Sequence, residues 1–346
     1  MSAEKLVVMR RPFPEPDRLK VQREVIAAVE GAPEFFLSRY DELPASFGGR
    51  FVNSDLFKLL FEVYAASKES RGRFNNVVHN ASAALAARQF GRLAAGPAPT
   101  GRGVVYFLTG APGSGKTTFV QRGGPGDLAL PGDCRLLYEG QLAEGEAALE
   151  KAAQAVSVGE AAIFVMHRSA ERCLLNTLRR FDEIGRGSSV EAIARIMGFL
   201  PAGLAKIRDR FGSDVSLTIL DWRDGRRPVK LEGWRRLKAL ESEGDCEAIK
   251  ARLLRLAQAE RQAGRLSLAG LNQALGLSPP TGGLETDQAP GEAPEQTWAP
   301  ASSPGPGATP CRRPPTRAEW LQAGLELGRR LEADEAARKA LALRLF

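Results

Sequence analysis

The sequence predicts an α/β protein built on a doubly wound parallel sheet with helices on both faces. Apolar runs typical of buried strands alternate along the chain with segments of helical periodicity. This alternation favours parallel strands joined by crossover helices. The run at 104–109 is an unbroken series of β-branched, aromatic and other apolar residues that ends in threonine, which suits a strand buried on both faces. We therefore expect it at the centre of the sheet.

Further elements are predicted around that central strand. The other predicted strands are 50–55, which ends in an acid, 135–138, 162–166 and 215–220. The predicted helices are 16–30, a segment from Leu56 onward, 76–93, 143–155, 170–181, 190–211 and 244–264. Each of the later strands is thus separated from the next by helical sequence.

Composition divides the chain into four parts. We predict an N-terminal helical extension at 1–49 and the main α/β domain at 50–265. Residues 277–316 are rich in proline, glycine, serine and alanine without a hydrophobic period, which predicts a disordered linker. Residues 317–346 regain a helical pattern and predict a C-terminal amphipathic helix.

Charge, cysteine usage and the absence of long apolar runs argue against several classes of protein. A net charge of +7 from 48 basic and 41 acidic residues is a mild excess, and nucleic acid is not the expected partner. The four cysteines lack CxxC spacing and only two histidines are present, which argues against a structural zinc site. No signal-like or membrane-spanning run of apolar residues occurs, so a cytoplasmic protein without membrane association is expected.

Residues 110–117 match the pattern GxxxxGK[ST] at every fixed position, between a predicted strand and a predicted helix. Such a P-loop turns backbone N–H groups toward phosphate oxygens, places its lysine on the β- and γ-phosphates, and offers its last hydroxyl to Mg²⁺. ATP or GTP with Mg²⁺ at Thr117 is therefore predicted. The predicted nucleotide-binding residues are Gly110, Ala111, Pro112, Gly113, Ser114, Gly115, Lys116, Thr117 and Thr118.

A P-loop alone does not separate motors, switches and kinases. Asp221 and Glu139 each follow an apolar strand and are the candidates for the acid that assists the metal. Neither has the surroundings of an oligomeric ATPase, and no NKxD guanine-reading motif is present. A kinase is therefore favoured.

Three further segments, taken with the loop, resemble the zeta toxin family of P-loop kinases. They are residues 52–58 (VNSDLFK), 137–142 (LYEGQL), and 176–181 (NTLRRF) with Gly-Arg-Gly at 185–187 downstream. The resemblance implies a P-loop kinase-like fold and transfer of a phosphoryl group to a hydroxyl of a small molecule such as a UDP-activated aminosugar. It also implies an antitoxin protein as a partner.

The resemblance also implies roles for single residues. Asp55 would be the general base, with Lys58 where the family usually has arginine. Glu139 would help to hold the substrate, and Gln141 replaces the family's threonine. Arg180, with Arg186 or Arg195 as a second guanidinium, would grip the nucleotide phosphates and neutralise charge during transfer.

Both histidines lie where a ligand could reach them. His79, at the start of a predicted helix, is a candidate substrate contact, with capping or a surface position as the alternative. His167 directly follows a predicted buried strand, and such strand ends face the ligand crevice of open α/β sheets. A structural role is its alternative.

The order of the motifs departs from the family. Asp55 precedes Lys116 by 61 residues, whereas in zeta toxins the aspartate strand follows the P-loop. This order suggests a circular permutation. Since a parallel sheet is held by neighbouring strands and not by chain order, we predict that the Asp55 strand lies beside the Tyr138 strand.

Simpler readings of the same residues remain. Asp55 could cap a helix, Glu139 could be a solvated acid, and Arg180 could form a surface ion pair. The alternative functions are a regulatory nucleotide-binding module that phosphorylates no acceptor, and a nucleic-acid-processing ATPase.

Overall fold

The computed structural model describes residues 5–97, 103–121, 134–143, 145–223 and 228–277. The predicted linker and C-terminal helix, from residue 278 onward, lie outside this part of the chain. Within it, helices surround a six-stranded, mostly parallel sheet, which confirms the predicted α/β class. No helix among these residues combines the length and apolarity that a bilayer span requires.

The strands are β1 (Phe51–Asn53), β2 (Val104–Thr109), β3 (Cys134–Glu139), β4 (Ala161–His167), β5 (Val215–Asp221) and β6 (Val229–Glu232). Their order across the sheet is β1-β3-β2-β4-β5-β6, and only β6 runs antiparallel to its neighbour. The prediction that β1 lies beside β3 is confirmed, with Asn53 in register with Glu139. The carboxyl ends of five parallel strands therefore meet at one edge.

The longer helices are α1 (Pro16–Gly31), α2 (Pro33–Asp41), α6 (His79–Ala95), α8 (Gly145–Val158), α9 (Ala170–Ile184), α10 (Val190–Phe211), α11 (Cys246–Gln262) and α12 (Leu268–Leu275). Shorter ones are α3 (Ser54–Phe57), α4 (Glu62–Ala65), α5 (Lys68–Phe74) and α7 (Lys116–Gln121). Four 3₁₀ segments lie at Pro44–Ser46, Lys58–Leu60, Gly212–Asp214 and Trp234–Glu243.

The main core lies around the central strands. Phe107 of β2 and Tyr138 of β3 pack edge-on at 6.1 Å between ring centroids, and both contact Phe90 of α6. Helices α1 and α2 of the predicted N-terminal extension contribute Ile26 and Tyr40 to the same buried cluster. Burial of such side chains supplies the dominant favourable free energy of folding.

The predicted strand at 50–55 is too long. The strand ends at Asn53, because its side chain accepts hydrogen bonds from the backbone N–H groups of Asp55 (2.7 Å) and Leu56 (3.4 Å) and so starts α3. Asn53 is therefore the N-cap, and the alternative that Asp55 caps this helix is wrong. Asp55 instead lies in the first helical turn.

Candidate phosphate-binding site

The glycine-rich loop connects β2 to α7, in the context that the motif predicted. Gly110 and Gly113 have φ values of 135° and 82°, which side chains with a Cβ rarely adopt. A Cβ at Gly110 would also collide with the carbonyl oxygen of Met166, and one at Gly113 with that of Cys173. Glycine is thus required both by conformation and by close packing against β4 and α9.

Helix α9 fixes the loop from outside. The Asn176 amide donates a 2.8 Å hydrogen bond to the Gly113 carbonyl, and within the loop Ser114 N–H donates to the Ala111 carbonyl at 3.1 Å. The Ser114 hydroxyl is buried and has no hydrogen-bond partner among the residues described. The loop is therefore rigidly held while one of its polar groups remains available for a ligand.

Lys116 is buried and folds back over the loop. Its Nζ donates to the carbonyl oxygens of Gly110 (2.8 Å) and Ala111 (3.0 Å) and lies 4.0 Å from Glu139 Oε1. Burial lowers the pKa of this amine, and the Glu139 carboxylate partly opposes that shift. The amine thus lies beside the turn where phosphate oxygens would bind. Thr118, the last predicted nucleotide contact, is exposed on α7.

Glu139 joins the P-loop to the neighbouring strands. The Thr117 hydroxyl donates to Glu139 Oε2 at 3.2 Å, and the Asn53 amide donates to the same oxygen at 2.7 Å. Burial raises the pKa of Glu139, while Lys116 opposes the rise. The alternative that Glu139 is a solvated strand-end acid is therefore wrong.

Asp55 lies in a cluster of positive charges. Its carboxylate is 3.0 Å from Lys58 Nζ and is paired with the Arg186 guanidinium. Lys58 also donates to the Asn75 side chain at 2.8 Å, and Arg180 Nε donates to the Arg186 carbonyl at 2.9 Å. The segments carrying Asp55 and Arg186, separated by 131 positions, thus meet at one point.

Electrostatics keep Asp55 ionised. Burial alone would raise the pKa of its carboxyl, but Arg186, Lys58 and Arg180 together hold that pKa far below its usual range. Burial also opposes the charge on Arg186, yet Asp55 raises the pKa of that guanidinium. Burial, with the nearby charge of Arg186, lowers the pKa of Arg180 to about 10. Arg180 is therefore not an ordinary surface ion pair.

The other predicted residues are placed less centrally. His79 is the first residue of α6, whose N-cap is Val78, so a capping role for His79 is wrong. The charges of both Lys58 and Asp55 act on it. Gln141 is exposed beyond β3, and Arg195 is exposed on α10, so Arg186 is the arginine beside Asp55.

Sequence reasoning missed the asparagines that support this site. Asn53 links the cap of α3 to Glu139, Asn75 holds Lys58, and Asn176 holds the P-loop. Only Asn53 carried a usable signal, since asparagine between a strand and a helix is a common N-cap. The other two depend on contacts between segments distant in sequence.

We expect the buried His167 and the partly buried His79 to make stability fall at acidic pH. Burial lowers the pKa of His79 and of His167 to about 4, from an ordinary value of 6.5. Below pH 6.5 the unfolded chain gains protons that the folded chain does not, so stability present above pH 6.5 is lost as the pH falls toward 4. Each histidine contributes about 3 kcal/mol to this loss.

Urea unfolding at about pH 7.5 and about pH 4.5 measures the effect. His79→Gln and His167→Gln should each reduce the dependence on pH, whatever they do to stability at neutral pH. An unchanged dependence in the double variant would contradict this assignment.

A scan against protein-family models matched none of them, and a search of curated proteins found no match.

Proposed function

We propose that this protein is a P-loop phosphotransferase. It binds ATP or GTP with Mg²⁺ and transfers the γ-phosphoryl group to a hydroxyl of a small molecule. The observation that carries the proposal is the bridge from the P-loop to β1, in which Glu139 accepts from both Thr117 and Asn53. Asp55 lies two residues after Asn53 in the sequence. The proposed general base and the phosphate-binding loop would therefore belong to one site.

The loop supports binding of a triphosphate. Its conformation is fixed by β4 and α9, and Lys116 is held by carbonyl oxygens that a phosphate would replace. After that exchange the amine would be a fixed donor that stabilises the charge developing during transfer.

The residues present fit Mg²⁺. The ion prefers oxygen ligands and is commonly held by one or two protein groups, phosphate oxygens and waters. The Thr117 hydroxyl and the Glu139 carboxylate, 3.2 Å apart, offer that donor set. Among the described residues no group of three or more His, Cys, Asp or Glu side chains forms a metal cage. When bound, Mg²⁺ neutralises charge on the β- and γ-phosphates.

Asp55 would orient the acceptor hydroxyl and take its proton. The hydroxyl oxygen attacks the γ-phosphorus, the bond to the β–γ bridging oxygen breaks, and the nucleoside diphosphate leaves with that electron pair. A carboxylate with so low a pKa is a weak base while Arg186 holds it. Movement of Arg186 from Asp55 to the γ-phosphate would raise the basicity of Asp55 and place positive charge on the transferred group.

The resemblance to zeta toxins suggests that the phosphate acceptor is a compound such as a UDP-aminosugar. Support comes from β1 lying beside β3, the neighbour that a permuted order requires, and from Arg186 and Lys58 at Asp55. Lys58, Glu139, Gln141 and His79 are the proposed substrate contacts. An antitoxin that blocks the nucleotide site is the corresponding partner.

Mass spectrometry of complete reactions tests the function. Purified protein, ATP or GTP and Mg²⁺ are incubated with nucleotide sugars, nucleosides and dinucleotides. We expect one acceptor to gain a single phosphoryl group. Bound nucleotide without any phosphorylated acceptor would favour a regulatory module, and turnover that requires DNA or RNA would favour a nucleic-acid-processing ATPase.

Glu139→Gln is expected to raise the Mg²⁺ concentration needed for half-maximal activity by about 10–100-fold, the usual cost of losing a group that supports a metal. Glutamine keeps the size and can still bond Asn53, so the fold should persist. Titration of activity with Mg²⁺ measures the shift. Glu243→Gln is the matched control, because Glu243 is also a buried acid, paired with Arg252 at 3.0 Å. Equal shifts in both variants would contradict the role of Glu139.

A further inference from the structure

A second group of polar and aromatic side chains lies at the carboxyl ends of β4 and β5. It consists of His167, Arg168 and Trp222, which we call the β4–β5 cluster. His167 is in register with Asp221, and the backbone N–H of Trp222 donates to the His167 carbonyl at 2.8 Å. The cluster begins directly after Met166, whose carbonyl packs against Gly110 of the P-loop. It therefore adjoins the phosphate site.

The cluster and the Asp55 group lie on opposite sides of the P-loop strand. In the sheet order, β2 has β3 and β1 on one side and β4 and β5 on the other. The acceptor hydroxyl attacks in line, opposite the leaving diphosphate. A nucleotide whose phosphates occupy the loop must therefore extend its nucleobase away from the acceptor hydroxyl. Because Asp55 lies on the β3 side of β2, the nucleobase is expected on the β4 side.

The cluster contains unpartnered buried polar atoms. His167 Nε2, Arg168 Nε and Trp222 Nε1 have no hydrogen-bond partner among the residues described, although His167 is only 5% exposed. Such atoms are rare in folded proteins because burial without a partner costs free energy. Three of them on two adjacent strand ends indicate a place where a ligand supplies the missing partners.

Two planar groups of the cluster, the Arg168 guanidinium and the Trp222 indole, pack against each other. The guanidinium carbon of Arg168 lies 5.3 Å from the centre of the Trp222 ring, and both side chains are partly exposed. Guanidinium and indole planes are the groups on which nucleobases stack. Asp221 beside them is neutralised by Arg223 at 2.6 Å. This end of the sheet is thus suited to a flat, uncharged heterocycle.

We infer that the β4–β5 cluster binds the purine base of the nucleotide, with Arg168 and Trp222 stacking on the ring and His167 bonding its polar edge. This inference rests on the proposed nucleotide binding. It assigns the specificity for the base to residues outside the P-loop. A purine is favoured over a pyrimidine because its larger ring system covers more of the stacking surface.

Calorimetric titration of the full chain with Mg²⁺ and ATP, GTP, CTP, UTP or inorganic tripolyphosphate tests the inference. We expect purine nucleotides to bind at least about tenfold more tightly than tripolyphosphate, the scale of one stacked base. Trp222→Leu and Arg168→Ala should each remove most of that advantage, and neither should change the affinity for tripolyphosphate.

Matched controls are available for both variants. Trp234→Leu removes another partly buried tryptophan packed against β5, where its indole donates to the Val215 carbonyl. Arg210→Ala removes another arginine stacked on an aromatic ring, at 5.6 Å from the centre of Phe211. Both controls should bind ATP like the unaltered protein. If Trp222→Leu fails to fold, Arg168→Ala alone still tests the inference.

The outcomes separate this inference from the proposed function. Tripolyphosphate and ATP of equal affinity, or unchanged purine binding in both cluster variants, would overturn the base site and leave the P-loop proposal standing. Absence of binding by every phosphate compound would overturn both. A pyrimidine preference that the cluster variants abolish would overturn the purine assignment.

Discussion

Asp55→Asn is expected to lower kcat by about 10²–10⁴-fold, the usual contribution of general base catalysis. Asparagine has nearly the same shape but cannot take the proton of the acceptor hydroxyl. Nucleotide affinity should change little, because the P-loop contacts remain. Steady-state kinetics with the acceptor, together with calorimetric nucleotide binding, separate these effects.

Asp41→Asn is the matched control for Asp55→Asn. Asp41 is also an aspartate whose side chain is 31% exposed, and it pairs with Arg92 at 2.6 Å. Loss of an aspartate–arginine pair alone would therefore affect both variants similarly. A comparable decrease of kcat in both, or full activity in Asp55→Asn, would remove Asp55 from the mechanism.

Lys116→Ala is expected to lower kcat by about 10²–10³-fold or more, as removal of a donor to developing negative charge does elsewhere. It should also weaken nucleotide binding, since this amine is the P-loop's positive charge toward the β- and γ-phosphates. The fold should tolerate the change, because the amine's present partners are carbonyl groups of the loop. Kinetics and titration with tripolyphosphate measure the two losses.

Lys151→Ala serves as the control for Lys116→Ala. Lys151 is a partly buried lysine on α8, with its amine 5.5 Å from the Tyr138 ring centre. We expect it to retain activity and phosphate affinity. Unchanged tripolyphosphate binding in Lys116→Ala would contradict the assignment of the loop.

The central strands were predictable because their pattern is local. The nearly continuous apolar runs at 104–109 and 162–166 and the largely apolar run at 215–220 predict strands, and the structure places them side by side as β2, β4 and β5. The P-loop was predictable for the same reason, since its fixed residues and its strand–helix context lie within a short stretch.

Elements defined by tertiary contacts were not predictable. Strand β6 has exposed residues at three of its four positions and forms only because β5 offers an edge to pair with. The end of β1 was misplaced because Asn53 caps α3, so the chain becomes helical at Ser54.

The candidate site also combines features that were predictable from sequence with contacts that were not. Resemblance to a family suggested Asp55 and the arginines, but it could not show that Arg186 pairs with Asp55 or that Asn75 holds Lys58. Glu139 was predicted either as the acid that assists the metal or as a substrate contact, but its bonds to Thr117 and Asn53, which join the P-loop to β1, were not predicted. Such contacts between distant segments leave no periodic trace in the sequence.

A crystal structure with Mg²⁺ and a non-hydrolysable ATP or GTP analogue tests the central claim most directly, through the distance from the Asp55 carboxylate to the γ-phosphorus. One hydroxyl must fit between them, at about 3 Å from each. We therefore predict a separation of about 6 Å, with Arg186 or Arg180 on the phosphate. A γ-phosphate in the loop more than about 10 Å from Asp55, with the Asp55–Arg186 pair intact, would contradict the shared site.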